Sequence, residues 1–193
     1  MVMFKIEHSK PEDIEDILAI DTFIPRHELE KKVRTRPEEI YVLKENSKTV
    51  GVLRYGIFWD YIPYTCFLNV SESCRGKGYA KKALLFWEEK MREAGWPVAM
   101  TSIPTDDAAQ HFYRKMGYKD TGCLILQLEP YNQNMEIFFI KSLSHRIGAF
   151  FYRIFFRYSV FFGIKTENGA PHLHCGTQVG IVFKLDQELM FRR

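Results

Sequence analysis

The chain has 193 residues, 46% hydrophobic and 26% charged, with a net charge of +3 and a pI near 8.6. A globular chain of this length buries roughly 70% of its unfolded surface and needs no disulfide or metal staple. The charge balance is too weakly basic to point to nucleic acid, and Cys66, Cys74, Cys123 and Cys175, scattered without a C-x-x-C pair, fit a reduced cytoplasmic protein.

Charged residues begin at Lys5, so the N-terminus carries no signal-peptide run. No stretch of about 18 uncharged apolar residues is present, and no spanning helix is expected. Charge is unevenly divided. Residues 1–144 carry 20 Lys/Arg against 21 Asp/Glu, whereas residues 145–193 carry 7 against 3. We therefore read a domain over residues 1–143 and an extension over 144–193.

In chain order, "FKIEH" (4–8) alternates as a strand. Ser9 and Glu12 then form a capping-box pattern before a helix with Ile14, Ile17 and Leu18 on one face. "RHELEKKVR" (26–34) reads as a second, polar helix stopped near Pro37. Residues 39–59 read as a hairpin turning at Asn46-Ser47, and "YTCFLNV" (64–70) as another strand. The triplet Asn69-Val70-Ser71 falls in that strand and is read as a chance glycosylation match. From Tyr79 onward, Ala80, Ala83, Leu84, Trp87, Met91 and Ala94 form a helical stripe that Gly95 ends as a C′ residue. "WPVAMTS" (96–102) is a strand. Residues 106–118 are a helix capped by Thr105 or Asp106 and closed at Gly117. "GCLILQLE" (122–129) and "MEIFFIKSL" (135–143) are a last antiparallel pair. The order predicts a layered α/β domain.

"RGKGYA" (75–80) sits between strand and helix. Unpaired N–H groups at a helix N-terminus attract anions, and glycines let backbone approach a phosphate without a Cβ. Arg75, Lys77, Lys81 and Lys82 add positive potential. Without an anion they would oppose the helix dipole by ~0.3–1 kcal/mol each. Two known phosphate loops do not match. A P-loop needs Gly where Ser71 stands and Ser or Thr where Gly78 stands, and the dinucleotide fingerprint needs a third Gly where Lys81 stands.

The segment resembles the (Gln/Arg)-x-x-Gly-x-(Gly/Ala) signature of the GNAT superfamily of acyl-CoA-dependent N-acetyltransferases, with Arg75, Gly78 and Ala80 on its defined positions. The resemblance implies a twisted mixed sheet, splayed where acetyl-CoA inserts and flanked by helices. It implies that Gly76, Lys77, Gly78, Tyr79, Ala80 and Lys81 hold the coenzyme's pyrophosphate, and that the backbone of Leu68, Asn69 and Val70 pairs with the pantetheine arm. A second stretch, residues 105–122, is similar to the family's Asn-x-x-Ala…Tyr-x-x-x-Gly-(Phe/Tyr) pattern at Ala109, Tyr113, Gly117 and Tyr118. Asp106 stands where Asn is usual. On a helix, Asp106, Ala109 and Tyr113 share one face and would line a slot. Asp106 and Ala109 then join the cofactor contacts and Tyr113 becomes the general acid. A phenol ionising near ~10 keeps its proton at neutral pH and can give it to a leaving thiolate.

The base is left open. "YTCFLNV" has no carboxylate, and "VAMTS" offers only Thr101 and Ser102. Asp60, Glu28 and Glu30 are candidates, beside a water relay or an acceptor that arrives neutral.

In the extension, Arg146, Arg153 and Arg157 lie on one stripe of a Phe-rich segment (146–162). It reads as an element covering the sheet, a homodimer contact or a membrane-surface helix. His172, His174 and Cys175 are too closely packed to make a metal site by themselves, so no metal is expected. "TQVGIVFKLDQ" (177–187) reads as one more strand. The expected activity is transfer of an acetyl group from acetyl-CoA to a primary amine on a small molecule or peptide, in a cytoplasmic enzyme. The alternatives are a CoA-binding module without turnover and a membrane-attached acetyltransferase.

Overall fold

In the computed structural model, which describes residues 2–125, 134–143, 166–167, 170–171 and 181–183, the chain divides into two units, Met1–Ala99 and Met100–Arg193. The break falls inside a strand. Most of the extension expected from residue 144 onward lies outside the described residues. The arginine stripe of 146–162 and His172, His174 and Cys175 lie outside the described residues.

The first unit is built on four antiparallel strands that neighbour one another in chain order: β1 (Phe4–His8), β2 (Ile40–Glu45), β3 (Lys48–Phe58) and β4 (Ile62–Val70). The β2–β3 turn is at Asn46 and Ser47, as expected, with both residues in the left-handed region (φ 50 and 68) that the tight hairpin turn demands. Neighbouring residues of β2 point to opposite faces, yet Ile40, Tyr41, Val42 and Leu43 are all buried. Both faces must therefore be covered. One face carries Ile40, Val42 and Val52 against Ile17 of α1 (Ile14–Ile20) and Leu29 and Val33 of α2 (Arg26–Thr35). On the other, Tyr41 meets Phe86 edge-on at 5.3 Å and Tyr55 lies 5.7 Å from Trp87, both partners belonging to α3 (Tyr79–Glu93). Each such side chain, fully buried, contributes roughly 1.5–3 kcal/mol.

The α1 capping differs from expectation. Ser9 is buried and its N–H donates to the Ile40 carbonyl (2.9 Å), which draws it into strand pairing, and no Ser9–Glu12 box forms. A short 3-10 turn, Pro11–Asp13, precedes α1 instead, and the Asp13 carboxylate accepts the Lys10 N–H at 2.9 Å. The end of α1 is tied to the sheet by an ion pair between buried Asp21 and Arg54 of β3 (2.9 Å).

The second unit contains β5 (Val98–Pro104), α4 (Ala109–Lys115), β6 (Lys119–Leu124) and β7 (Glu136–Ser142), with strands in the order β5-β7-β6. Phe139 of β7 is fully buried and stacks at 6.5 Å on Tyr113 of α4, which fixes that face of β7 as the one α4 covers. In the extension, β8 (Thr166–Glu167) pairs with β9 (Ala170–Pro171), and β10 (Ile181–Phe183) pairs antiparallel with β6 within the segment expected to be a strand.

Candidate functional site

The connection from β4 to α3 is a loop of left-handed glycines. After a 3-10 turn at Glu72–Cys74, Gly76 (φ 77) and Gly78 (φ 78) both occupy the left-handed region, where a Cβ costs about 1–2 kcal/mol. A Cβ at either glycine would meet no atom within 4 Å, so the backbone faces open space. Gly78 is the N-cap of α3, no side chain caps that end, and the first turn carries no acid. The 15-residue helix thus opens with uncapped N–H groups beside exposed Lys81 and Lys82. This arrangement fits an anion.

Not every cation of the loop faces that space. Lys77 Nζ bonds both oxygens of Glu45 at the end of β2 (2.9 and 3.0 Å). The Tyr79 hydroxyl donates to the same carboxylate, and the Cys74 thiol lies 3.9 Å from it. These contacts, Tyr79 first and Lys77 second, hold the Glu45 carboxyl below its ordinary range. Glu45 in turn raises both the Tyr79 phenol and the Lys77 ammonium. The Tyr79 ring is buried and stacked on Phe4 at 4.2 Å, so only its main-chain N–H is placed for an anion. Arg75 Nε donates to the Val70 carbonyl (3.2 Å), closing the loop on the strand it leaves, and Lys82 lies over the Phe4 and Tyr79 rings. Ala80 is half-buried.

Leu68, Asn69 and Val70 end β4 opposite Leu53, Val52 and Gly51 of β3. Gly51 is required there. A Cβ would come within 2.8 Å of the Asn69 carbonyl oxygen and of Leu43 Cδ1. The Val70 N–H is taken by Asn69 Oδ1 (3.0 Å). Sequence reading missed a bulge in this strand. Tyr55 pairs with Thr65 and Arg54 with Phe67, which leaves Cys66 as the extra residue. Bulges re-aim strand groups and cluster beside active sites, but an alternating pattern does not reveal one.

In the second unit the expected helix 106–118 is shorter. Thr105 does not cap it, since α4 begins only at Ala109, and the Thr105 N–H pairs with the Met135 carbonyl (2.9 Å). Asp107 Oδ1 instead accepts the Ala109 N–H at 2.8 Å. Asp106 lies before the helix and accepts from Asn134 (2.6 Å), so of the three residues expected on one helical face only Ala109 and Tyr113 are on α4. Gly117 closes it as expected, with φ 88. Tyr113 is 3% exposed, edge-on to Phe112 and Tyr118 as well as stacked on Phe139. Thr101 is buried and Ser102 partly so.

The three acids considered as bases carry surface contacts or a turn. Glu28 faces His27 and Lys31, Glu30 pairs with Arg26, and Asp60 forms the β3–β4 turn at φ 64. Another carboxylate stands out. Glu136 of β7 is half-buried and accepts the Ser102 hydroxyl at 2.6 Å. Burial pushes its carboxyl above its ordinary value. The Ser102 bond opposes that shift and the Asp107 charge adds to it. Among the described residues no group of three or more His, Cys, Asp or Glu could hold a metal ion, and no helix is long and apolar enough to cross a membrane.

A family model described as the acetyltransferase (GNAT) family matches residues 4–118. No curated protein sequence matches the chain. Among solved structures, Ard1 of Thermoplasma volcanium is 18% identical and superposes over 74% of this chain and 99% of its own, with a TM-score of 0.66. An N-acetyltransferase from Staphylococcus aureus Mu50 is 24% identical over 74% and 99%, with a TM-score of 0.61. The protein yncA of Salmonella typhimurium, solved with its cofactor acetyl-CoA, is 17% identical over 74% and 95%, with a TM-score of 0.62. These likenesses are likenesses of fold.

Proposed function

The chain belongs to the GNAT acetyltransferase family, and from that premise we propose that it moves the acetyl group of acetyl-CoA directly to a primary amine, with both bound at once and no covalent enzyme intermediate. The observation that carries the reading is the uncapped, basic start of α3 behind two left-handed glycines. Main-chain N–H groups from Gly76 to Lys81 hold the pyrophosphate there, and Lys81 supplies charge. The backbone of Leu68, Asn69 and Val70 pairs with the pantetheine arm as an added strand. Asp106 and Ala109 are further cofactor contacts in this reading.

Acetyl-CoA supplies an acyl group already activated as a thioester. The amine nitrogen forms the C–N bond while the C–S bond breaks. Backbone N–H groups of β4 polarise the carbonyl. Tyr113 holds a proton at its hydroxyl oxygen for the departing sulfur, which is worth ~10²–10⁴-fold.

Calorimetric titration with acetyl-CoA tests the binding half. The wild-type protein gives a saturable heat, and Gly78→Val, which forces a β-branched residue into a left-handed conformation, weakens binding at least ~10-fold. Thiol release over a panel of ethylamine, spermidine and tripeptides with free N-termini tests the chemistry. Binding without turnover on any of them would leave a CoA-binding module, and absence of heat would remove the reading altogether.

A further inference from the structure

We propose that Glu136 is the base that takes the proton from the incoming amine, with Ser102 as the residue that positions its carboxylate. The inference rests on the acetyl-transfer reading above and supplies the one group that reading leaves unassigned.

An amine of ordinary basicity (pKa ~10) is almost wholly protonated at neutral pH and cannot attack until it loses a proton. Neither β4 nor β5 carries a carboxylate of its own. The neighbouring strand does. β7 lies next to β5, and the Ser102 hydroxyl reaches across to Glu136 Oε1 at 2.6 Å, which leaves Oε2 for a second partner.

The groups around this carboxylate keep it basic. Ser102 faces it from β5, and Leu124 is its cross-strand partner on β6. Asp107, on the approach to α4, is the charge acting on it, and that charge is negative. Among the described residues no lysine or arginine pairs with it, whereas Asp120 is held by Arg114 and Glu45 by Lys77. Burial favours its protonated form, so the carboxylate is a better proton acceptor than an exposed one.

Its placement relative to Tyr113 matters as much. Side chains alternate along a strand, so residues 136 and 139 of β7 point to opposite faces. Phe139 stacks on Tyr113 beneath α4, which sets Glu136 on the other face. The proton acceptor and the proton donor thus lie on opposite faces of β7, so neither takes the other's place beside the amine or the departing sulfur. Protons balance. The ammonium gives one to Glu136, and the neutral nitrogen forms the C–N bond as C–S breaks. Tyr113 protonates the sulfur and is refilled by the second proton that nitrogen sheds. Glu136 then returns its own to solvent.

The test is Glu136→Gln, assayed by thiol release with whichever of ethylamine, spermidine and an alanyl tripeptide the wild type acetylates fastest, from pH 7 to pH 10. Expected are an unchanged Kd for acetyl-CoA, a loss of about 10²-fold in kcat/KM at pH 7, and a gap that closes towards pH 10, where bulk amine is increasingly neutral. Ser102→Ala should shift the pH profile with a smaller loss. A deficit that is constant with pH, or no deficit, overturns the assignment while acetyl transfer stands. Wild-type protein that binds acetyl-CoA and acetylates none of the three amines overturns both.

Discussion

Two strand-to-helix connections, β4 to α3 and β5 to α4, start their helices in different ways. At α3 a glycine holds the N-cap, no acid enters the first turn, and lysines follow. At α4 one N–H of the start is taken from within the chain, that of Ala109 by the carboxylate of Asp107. Helix polarity draws anions only to an end that the chain leaves unfilled. The first connection therefore offers an anion main-chain N–H groups that no side chain caps. In the second unit the notable groups are side chains: Tyr113 stacked on Phe139 of β7, and Glu136 on the other face of that strand.

If that division is right, removing one hydroxyl from the second unit should cost the most turnover and no binding. Tyr113→Phe is expected to lower kcat by ~10²–10⁴-fold with the acetyl-CoA Kd unchanged, read by thiol release and calorimetry on the same preparation. Equal losses in both quantities would erase the distinction. In the first unit, Gly51→Ala presses a methyl group against the Asn69 carbonyl. It should cost about 1–3 kcal/mol in a urea melt, as overpacked cores do, and weaken acetyl-CoA binding by moving the end of β4. Lys81→Glu gives the α3 end the acidic character of α4. Its two effects should carry opposite signs. The folded protein gains ~0.3–1 kcal/mol from an acid at a helix N-terminus, while acetyl-CoA binds roughly 10-fold more weakly. A variant neutral on both counts would mean that the anion lies elsewhere.

The same contrast explains what was legible in the sequence. The α3 loop could be read because glycine identity and helix start are local properties, as are the Asn46-Ser47 turn and the left-handed closures at Gly95 and Gly117. The two missed caps share one cause. Ser9 and Thr105 each look like the start of a helix, but their N–H groups are captured by carbonyls of Ile40 and Met135, across the sheet and far along the chain. Pairing with a distant strand outweighed the local pattern. The pairing of the Lys77 side chain with Glu45, 32 residues away, was hidden for a similar reason. The Cys66 bulge and the Ser102–Glu136 bond are also facts of register between strands. A single sequence shows which way a residue faces along its own strand. It does not show which residue of the next strand it meets.

The mildest perturbation separates the scaffold of the first connection from its binding surface. Glu45 is bonded to Lys77 and Tyr79, so it acts on the loop through them. Glu45→Gln keeps an acceptor for the Tyr79 hydroxyl but loses the ion pair. It should raise the KM for acetyl-CoA a few-fold, the modest loss expected of one solvent-screened ion pair, and leave kcat alone. Acidity gives an independent check. The folded-state pKa of Glu45 is depressed from its ordinary value of 4.5, so its contribution is complete above that value and is lost only as pH falls through the lower one. The ratio of mutant to wild-type affinity should therefore stay flat from pH 7 down to 4.5 and approach unity below it. A ratio that already collapses near pH 6 would mean that another group steadies the loop, and that the α3 connection depends on side chains as much as α4 does.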